Sequence, residues 1–292
     1  MWLNRLTRIP TKKLLMNTFR YLKKITRPEQ CLTAALATFV VALLSNGPSW
    51  FTAEKIAAPI TIALSVLGAS LWHYGARYDV YAKKHWDVVT VIHPQRLLFF
   101  GCVSFIMSVV VAFLFLPKAC TLIAFINVFI IVFYARRLDQ YWPWKNLVIA
   151  LVCTSPLIIG WLSGQHVHSI VLPMIIATFF IYLAREILKD IQDREANHGL
   201  RFTMVMDIGV KASLRIAGAM LCIAILVLLI GWQYIPSSLF FAIAAYWISV
   251  SVLVWNGIKL LMATDLASRY KRIDIAVLSF LICILAIRIS IF

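Results

Sequence analysis

The stretch VLPMIIATFFIYLAREILKDIQD, residues 171–193, decides how this chain is organised. Its first fourteen residues are mostly apolar, as in a helix that crosses a lipid bilayer. Its last nine residues, from Arg185 to Asp193, hold three carboxylates and two cations. Ionisable groups at the end of a membrane helix usually face the interior of the protein and mark a site. The stretch therefore predicts a membrane helix that leads into a polar site.

The composition extends this interpretation to the whole chain of 292 residues, which is 62% hydrophobic with a mean hydropathy of +0.87. In lipid, each spanning segment must be helical to satisfy its own backbone. We therefore predict an all-α polytopic membrane protein with a basic N-terminal arm at 1–27 and a single transmembrane domain at 28–292. Long apolar runs predict nine transmembrane helices, at about 30–47, 56–76, 97–117, 119–135, 146–163, 168–184, 212–232, 237–258 and 273–291.

The distribution of cations predicts the orientation. Every Lys and Arg lies in the N-terminal arm or near the even-numbered interhelix loops, except Lys55, Lys118 and Arg288. The positive-inside rule then places the N-terminus in the cytoplasm and the C-terminus outside, and we expect a bacterial or archaeal inner membrane. The same rule accounts for most of the net charge of +16. The excess of basic residues therefore predicts contacts with membrane lipids and no binding of nucleic acid.

The acidic residues need a separate explanation, because eleven of the twelve fall on the predicted cytoplasmic side and only Glu54 does not. On a helix, Glu186, Asp190 and Asp193 share an arc of about 60°. One interpretation is a lattice of surface salt bridges with the neighbouring cations. The other is a Mg²⁺ site, since carboxylate oxygens bind Mg²⁺ together with phosphate oxygens.

A second charged segment, RYDVYAKKHWD at 77–87, favours the metal site. If the helix continues, Asp79, Lys83 and Asp87 lie on one face, at spacings of four. Two acidic helix ends on the same side of a bundle, each with interleaved cations, form a cup that suits a Mg²⁺-bridged diphosphate. The apolar bundle then accommodates a lipid tail.

The sequence REILKDIQDREANHGLRFTMVMDIG, residues 185–209, resembles the second aspartate-rich motif of the UbiA superfamily of intramembrane prenyltransferases. Weaker similarities are TRPEQ at the first span, with Arg27 and Pro28, and a later segment that begins at Tyr134. That segment matches through Lys145, Asn146, Ser155 and Gly160, and the second motif is followed by the matching Thr203 and Gly209. The resemblance covers most of the chain and implies a nine-helix UbiA-like bundle with an active-site cup on the cytoplasmic side.

The first aspartate-rich motif departs from the family pattern. The family has N-x-x-x-D-x-x-x-D, whereas this chain has no asparagine there and carries Lys83 between Asp79 and Asp87, with HPQRL (Pro94, Arg96) following. The alternative register is Gly75, Asp79 and Lys83, and in either register a lysine replaces an aspartate. These changes put two-magnesium binding in doubt but leave an anion site.

The resemblance implies Mg²⁺-assisted ionisation of an isoprenyl diphosphate, followed by attack of a lipophilic acceptor, either an aromatic carbon or an alcohol. It assigns catalytic roles to Asp79, Lys83, Asp190 and Asp193, and metal binding to Asp79, Asp87, Glu186, Asp190 and Asp193. For the diphosphate it implies Lys83, Arg96, Lys145, Arg185 and Lys189. For the acceptor or the wall around the carbocation it implies His73, Tyr78, Tyr134 and Asn146.

Two other functions stay open because the first motif is degenerate. One is related chemistry, either a UbiA-like terpene cyclase or a transfer of phosphoribosyl diphosphate to a lipid phosphate. The other is a lipid-binding protein without catalysis. Transport is disfavoured, because transporters usually carry charges at the bilayer midplane and here they lie at helix ends.

Overall fold

The computed structural model describes residues 22–45, 52–78, 93–164, 169–198, 202–235 and 240–262. These residues form eight long helices. In chain order they are α1 Pro28–Ser45, α2 Ala53–Ala76, α3 Pro94–Phe115, α4 Lys118–Arg136, α5 Trp144–Leu162, α6 Val171–Gln192, α7 Met204–Gly231 and α8 Phe240–Met262. Short helical turns follow α4 at Leu138–Gln140, α6 at Arg194–Asn197 and α7 at Trp232–Tyr234.

Seven helices in the described part of the chain are long and apolar enough to cross a membrane, namely those of α1 to α7. The helix α8 coincides with the eighth predicted span, and the ninth, at 273–291, lies outside the described residues. The all-α polytopic architecture is thus confirmed, whereas the count of nine spans is not.

Two predicted boundaries differ from the structure. The sixth span was expected to end at 184, but α6 continues to Gln192 and carries the charged segment within the helix. The seventh was expected to begin at 212, but α7 begins at Met204 and kinks at Gly209. Hydropathy misses the end of α6 because polar residues that face the protein interior do not end a helix. It misses the start of α7 because the exposed residues Asp207 and Lys211 lower the hydropathy of the first turns. The predicted spans 97–117 and 119–135 leave a single residue between them, and α3 and α4 accordingly form a tight hairpin with only Leu116 and Pro117 between the helices.

Two glycines shape α5 and α7, the helices before and after α6 in the chain. A Cβ on Gly160 of α5 would lie 2.5 Å from the backbone oxygen of Thr38 on α1, so only glycine allows this close approach. Gly209 has φ +80° within α7, in the left-handed region that L side chains rarely adopt. These are two of the positions through which the sequence resembles the UbiA superfamily.

The largest apolar core lies between α1, α5, α6, α7 and α8. In contrast, α3 and α4 expose many large apolar side chains, including Phe113 at 74% and Phe129 at 66%. Outward apolar surface of this extent is expected of helices that contact lipid. Since consecutive spans alternate in direction, the ends of α2, α4 and α6 and the starts of α3, α5 and α7 share one end of the bundle.

Candidate active site

The last two turns of α6 carry two buried carboxylates, Glu186 and Asp190, each only 1% exposed. The Arg185 guanidinium donates to Glu186 Oε1 at 3.0 Å, and Lys189 Nζ lies 3.9 Å from Glu186 Oε2. Acidic side chains are almost never this buried unless something compensates their charge. Both cations belong to α6 itself, and each of them pairs with Glu186.

The cation that compensates Asp190 comes from a different helix. The Lys145 ammonium, at the start of α5, donates to Asp190 Oδ1, and Lys145 is itself 2% exposed. Lys145, Arg185, Glu186, Lys189 and Asp190 therefore form one group of interacting charges, here termed the charged cluster. The predicted surface lattice of salt bridges is wrong for Glu186 and Asp190, because both carboxylates lie inside the bundle.

Backbone pairing joins two connections at this end of the bundle. Tyr141 and Phe202 form an isolated parallel bridge, with Phe202 N donating to Gln140 O at 2.8 Å and Trp142 N donating to Phe202 O at 3.3 Å. The bridge holds the connection into α5 beside the connection into α7. Lys145 follows one turn after Tyr141, at the start of α5.

Several buried polar atoms at this end of the bundle make no hydrogen bond of good geometry among the described residues. They include Glu186 Oε2, Asp190 Oδ2, Thr203 Oγ1 and both amide atoms of Asn146. The Asn146 amide nevertheless lies within hydrogen-bonding reach of the Asp190 carboxylate, although the two do not meet the geometry of a hydrogen bond. Each such buried group costs about 1–3 kcal/mol unless a ligand completes its hydrogen bonds or coordination. The orphaned atoms thus indicate a site that is completed by a polar ligand.

The residues fit Mg²⁺ in part. Carboxylate and amide oxygens are the hard donors that this ion prefers, and it is commonly held by one or two carboxylates plus substrate phosphates. The fit depends on Glu186 Oε2, Asp190 Oδ2 and Asn146 Oδ1. However, no set of three or more His, Cys, Asp or Glu side chains gathers into a metal site among the residues that the structure describes. A metal here would rely on few protein ligands.

Asp193 lies differently from its two predicted partners. It is the C-cap of α6, with φ −87° and ψ 10°, and it is half-buried. The predicted arc of three carboxylates assumed a continuous helix, whereas the helix ends at Gln192. The structure therefore brings Glu186 and Asp190 together within the helix and places Asp193 at its end.

Aromatic side chains lie at the same end of the bundle. The rings of His73 and Tyr134 stack with centroids 5.8 Å apart and an interplanar angle of 25°. The Arg136 guanidinium lies 5.8 Å from the centroid of the Trp72 ring. Two of the four predicted wall residues thus pack against each other across α2 and α4. Asn146 lies instead beside Asp190, and Tyr78 is half-buried just past the end of α2.

Four other predicted site residues lie outside the described residues or at the protein surface. Asp79, Lys83 and Asp87 lie outside the described residues, and Arg96 is exposed in the first turn of α3. Sequence reasoning did not assign a site role to Thr203, although it precedes α7 as an N-cap and is fully buried. The sequence signal available for Thr203 was its place just before a helix. A threonine at this N-cap position normally accepts a hydrogen bond from the helix backbone, and Thr203 accepts none within its helix.

The sequence model of the UbiA prenyltransferase family matches residues 87–281. The digeranylgeranylglyceryl phosphate synthase of Methanoregula boonei is 28% identical over 215 residues, which are 69% of this chain and 73% of that protein. The synthase of the same name from Methanothrix thermoacetophila is 26% identical over 216 residues, covering 70% of this chain and 78% of the relative.

Solved structures share the fold. A structure of digeranylgeranylglyceryl phosphate synthase has a TM-score of 0.73 at 18% identity, covering 94% of this chain and 98% of that one. A UbiA homologue from Archaeoglobus fulgidus bound to GPP and Mg²⁺ has a TM-score of 0.74 at 13% identity, with 91% and 99% covered. The family match spans more than half of the chain and includes the whole charged cluster, so this multi-pass integral membrane protein belongs to the UbiA prenyltransferase family.

Proposed function

We propose that this protein transfers an isoprenyl group from a prenyl diphosphate to the hydroxyl of a glycerophosphate-type lipid, with Mg²⁺ as cofactor. The acceptor class is suggested by the relatives named digeranylgeranylglyceryl phosphate synthase. The donor and the ion are suggested by fold neighbours bound to DMAPP or GPP with Mg²⁺. An alcohol acceptor is thus favoured over an aromatic one.

The observation that carries this proposal is the charged cluster at the end of an otherwise apolar bundle. Three cations, Lys145, Arg185 and Lys189, stand beside two carboxylates that each keep one oxygen without a hydrogen-bond partner among the described residues. An amphiphile with a long apolar tail and a strongly anionic head matches this arrangement. The tail lies among the helices, and the head lies where the charges are.

Charge that develops in the transition state explains why cations gather here. When the C1–O bond of the allylic diphosphate breaks, the bonding electron pair leaves with the diphosphate. Lys145, Arg185 and Lys189 are placed to stabilise that leaving group through charge-assisted hydrogen bonds. We propose further contributions from Lys83 and Arg96. Fixed donors in a site that excludes water stabilise such charge far more than water does.

The carboxylates and Asn146 supply oxygen ligands for the ion. Glu186 Oε2, Asp190 Oδ2 and Asn146 Oδ1 would hold Mg²⁺ together with diphosphate oxygens. Because Mg²⁺ has six positions and usually keeps water ligands, we propose that Asp79, Asp87 and Asp193 act on it through bound water. When bound, Mg²⁺ supplies Lewis-acid charge neutralisation to the leaving diphosphate. Glu186 and Asp190 would position the ion at the end of the bundle.

The stacked rings of His73 and Tyr134 are proposed to line the space where the allylic cation forms, with Tyr78 nearby. Aromatic faces attract cations by about 0.5–2 kcal/mol without acting as nucleophiles as water does. The acceptor hydroxyl oxygen then attacks C1, a C–O ether bond forms, and the hydroxyl proton is released. The products are an ether lipid, diphosphate and one proton.

We also propose that the charged cluster faces the cytoplasm, with the basic arm at 1–27 on the same side and nine spans in all. The clustering of Lys and Arg on that side supports this orientation. Reporter fusions after residues 118 and 235 should read external, and fusions after 140 and 200 should read cytoplasmic. A cytoplasmic reading after 118 would refute the orientation.

Purified protein in lipid nanodiscs, supplied with labelled geranylgeranyl diphosphate and geranylgeranylglyceryl phosphate, tests the function. We expect an ether product and equimolar diphosphate with Mg²⁺, and neither after chelation by EDTA. Matched reactions use farnesyl diphosphate, an aromatic acceptor such as 4-hydroxybenzoate, or phosphoribosyl diphosphate with a lipid phosphate. Transfer only to the aromatic acceptor would overturn the acceptor class, and transfer only of phosphoribose would overturn the donor. Diphosphate release without acceptor would indicate cyclisation or hydrolysis.

A further inference from the structure

Positive charge is distributed unevenly around the end of the bundle that carries the charged cluster. The basic arm at 1–27, which leads into α1, contains eight Lys or Arg and no Asp or Glu. No acidic residue occurs between Asp87 and Asp139, the stretch that holds α3 and α4. Residues 185–215, from the end of α6 into α7, contain six cations and five acids. The uncompensated positive charge therefore belongs to the side of the bundle formed by α1, α3 and α4.

Four exposed cations on this side are here termed the basic rim: Lys23, Lys24, Arg136 and Arg137. The two lysines precede α1, and the two arginines lie at the end of α4. Arg96, in the first turn of α3, is also exposed but is proposed above to contact the diphosphate and is not counted. The basic rim is thus exposed on the surface, whereas Glu186 and Asp190 of the charged cluster are buried.

Contacts with the last turns of α2 hold both parts of the basic rim in place. Ile25, in the turn before α1, is 2% exposed and packs in one cluster with side chains of α2 and α3. The Arg27 guanidinium lies 5.6 Å from the centroid of the Tyr74 ring, and the Arg136 guanidinium lies 5.8 Å from the centroid of the Trp72 ring. The basic segments before α1 and after α4 are therefore both attached to the end of α2.

Exposed apolar side chains lie one turn deeper in the membrane on the same side. Phe133, one turn before the two arginines of the basic rim, is 48% exposed, and Leu22, next to Lys23, is 40% exposed. Near the start of α3, Phe99 and Phe100 are 63% and 56% exposed. Cations at the ends of membrane helices lie at the level of the lipid headgroups, and apolar side chains below them contact the acyl chains. This surface therefore offers positive charge to a headgroup and apolar area to the chains of the same lipid.

The positive-inside rule alone does not explain the uneven distribution. That rule depends on the Lys and Arg in short loops and near the ends of the spans, and acids contribute little to it. It would be satisfied equally if acids and cations alternated around the whole bundle, as they do between α6 and α7. Clustered Lys and Arg beside a membrane helix attract anionic lipid, and acids among them would weaken that attraction. The absence of acids from 1–27 therefore favours an anionic partner on this side.

We infer that the basic rim binds the headgroups of anionic lipids and thereby concentrates the proposed acceptor, itself an anionic lipid, at this end of the bundle. The second part rests on the proposed function, in which the acceptor is a glycerophosphate-type lipid. A terminal phosphate carries between about one and a half and two negative charges at neutral pH, so such an acceptor binds cations better than lipids with one charge or none. The basic rim acts on the local concentration of acceptor and takes no part in breaking the C1–O bond.

Spin-labelled lipids test the binding without any reaction. Full-length protein is placed in phosphatidylcholine vesicles that contain a trace of spin-labelled phosphatidylglycerol or spin-labelled phosphatidylcholine. Electron paramagnetic resonance then measures the fraction of each label that the protein immobilises. Wild type should prefer phosphatidylglycerol at least about twofold, and Lys23→Gln with Lys24→Gln should lose about half of that preference or more. High ionic strength should lower the wild-type preference as well, because salt screens exposed charges.

The matched control is Lys211→Gln with Arg215→Gln, which removes two exposed cations from α7. Glutamine has nearly the helix propensity of Lys and Arg, so both double variants should fold as wild type does. The control should keep the wild-type preference for phosphatidylglycerol. No preference in wild type, or an equal loss in the two double variants, would overturn the inference. An unchanged preference in Lys23→Gln with Lys24→Gln would overturn it as well.

Acceptor kinetics test the consequence for the reaction. In phosphatidylcholine vesicles, Lys23→Gln with Lys24→Gln should raise the KM for geranylgeranylglyceryl phosphate at least about threefold and leave kcat within about twofold of wild type, because only acceptor capture is weakened. Added phosphatidylglycerol should raise the wild-type KM by competition and raise that of the variant less. The α7 control should keep the wild-type KM. An unchanged KM in the variant would refute the role in acceptor capture.

Failure of the proposed function gives a different result. If wild type prefers phosphatidylglycerol as expected but forms no prenyl ether with geranylgeranylglyceryl phosphate, the proposed function fails and lipid binding by the basic rim stands. If wild type forms the ether but shows no preference between the two spin-labelled lipids, only the inference about the basic rim fails.

Discussion

The end of α6 and the α3–α4 hairpin are both apolar membrane helices in sequence, yet the structure uses them in opposite ways. In α6, 61% of the apolar window is buried inside the protein, against 28% in α3 and 33% in α4. The hairpin directs phenylalanines outward, whereas α6 directs Glu186 and Asp190 inward. Hydropathy identifies both as spans, and only the placement of charge separates the helix that builds a site from those that contact lipid.

The largest effect is expected for Asp190→Asn, which keeps the shape of the side chain and removes its charge. Loss of a metal ligand and of the partner of Lys145 should lower kcat/KM at least about a hundredfold, which corresponds to roughly 3 kcal/mol of transition-state stabilisation. The control is Asp207→Asn, an exposed acid in the first turn of α7. If the kcat/KM of Asp190→Asn in the geranylgeranyl transfer assay lay within threefold of the wild-type value, α6 would not be part of the active site.

A double-variant cycle separates function from stability in the same pair. Lys145→Met alone leaves Asp190 as an uncompensated buried charge and should lower the free energy of unfolding by about 3–5 kcal/mol. The double variant Lys145→Met with Asp190→Leu replaces both charges by apolar groups and should recover most of that stability. Thermal unfolding in detergent and prenyl transfer are measured together. Activity in the double variant would show that the ion pair is only structural.

A smaller loss of stability is expected where α1 and α5 touch. The new methyl group of Gly160→Ala would meet the Thr38 carbonyl oxygen at 2.5 Å, so the helices must shift, at a cost of about 1–3 kcal/mol. Gly218→Ala is the matched control, because nothing lies within 4 Å of its added Cβ and alanine favours the helix by about 0.5–1 kcal/mol. Equal melting temperatures for the two variants would contradict the packing described for Gly160.

The smallest effect is expected on the hairpin. Phe113→Leu exchanges one apolar side chain for another at a position that is 74% exposed, so stability should change by less than about 0.5 kcal/mol and turnover should stay at the wild-type level. Turnover in nanodiscs checks this. A tenfold loss would show that the outer face of α3 contacts a substrate or a partner instead of lipid.

Sequence patterns predicted the helices well and the assembly of the site only partly. Glu186 and Asp190 were identified because they lie four residues apart on one helix, which is a local relation that the sequence states directly. That these carboxylates face the interior was also predicted, but the cation that compensates Asp190 was not predictable from α6 alone. That cation is Lys145, 45 residues earlier in the chain and one turn after the Tyr141–Phe202 bridge between two distant connections. Contacts between residues this far apart in the chain depend on the fold and produce no periodic pattern in the sequence.

Asp193 and Thr203 show the same limit at helix ends. The helical projection placed Asp193 with Glu186 and Asp190, but α6 stops one residue earlier, and boundaries are where sequence patterns are least reliable. Thr203 was noted only as part of a resemblance, and its orphaned hydroxyl became visible once α7 was seen to begin at Met204. Gly160 and Gly209, also noted only as resemblances, acquired physical reasons from the close approach to α1 and the kink in α7.

The central claim is that the prenyl diphosphate head binds at the charged cluster between α5 and α6. The most direct test is photolabelling of the protein in nanodiscs with an analogue that carries a diazirine next to the diphosphate, followed by mass spectrometry of the labelled peptides. We predict Mg²⁺-dependent labelling within residues 134–146 and 182–193 that geranylgeranyl diphosphate competes away. Labelling confined to the α3–α4 hairpin, or labelling that excess geranylgeranyl diphosphate leaves unchanged, would contradict the claim.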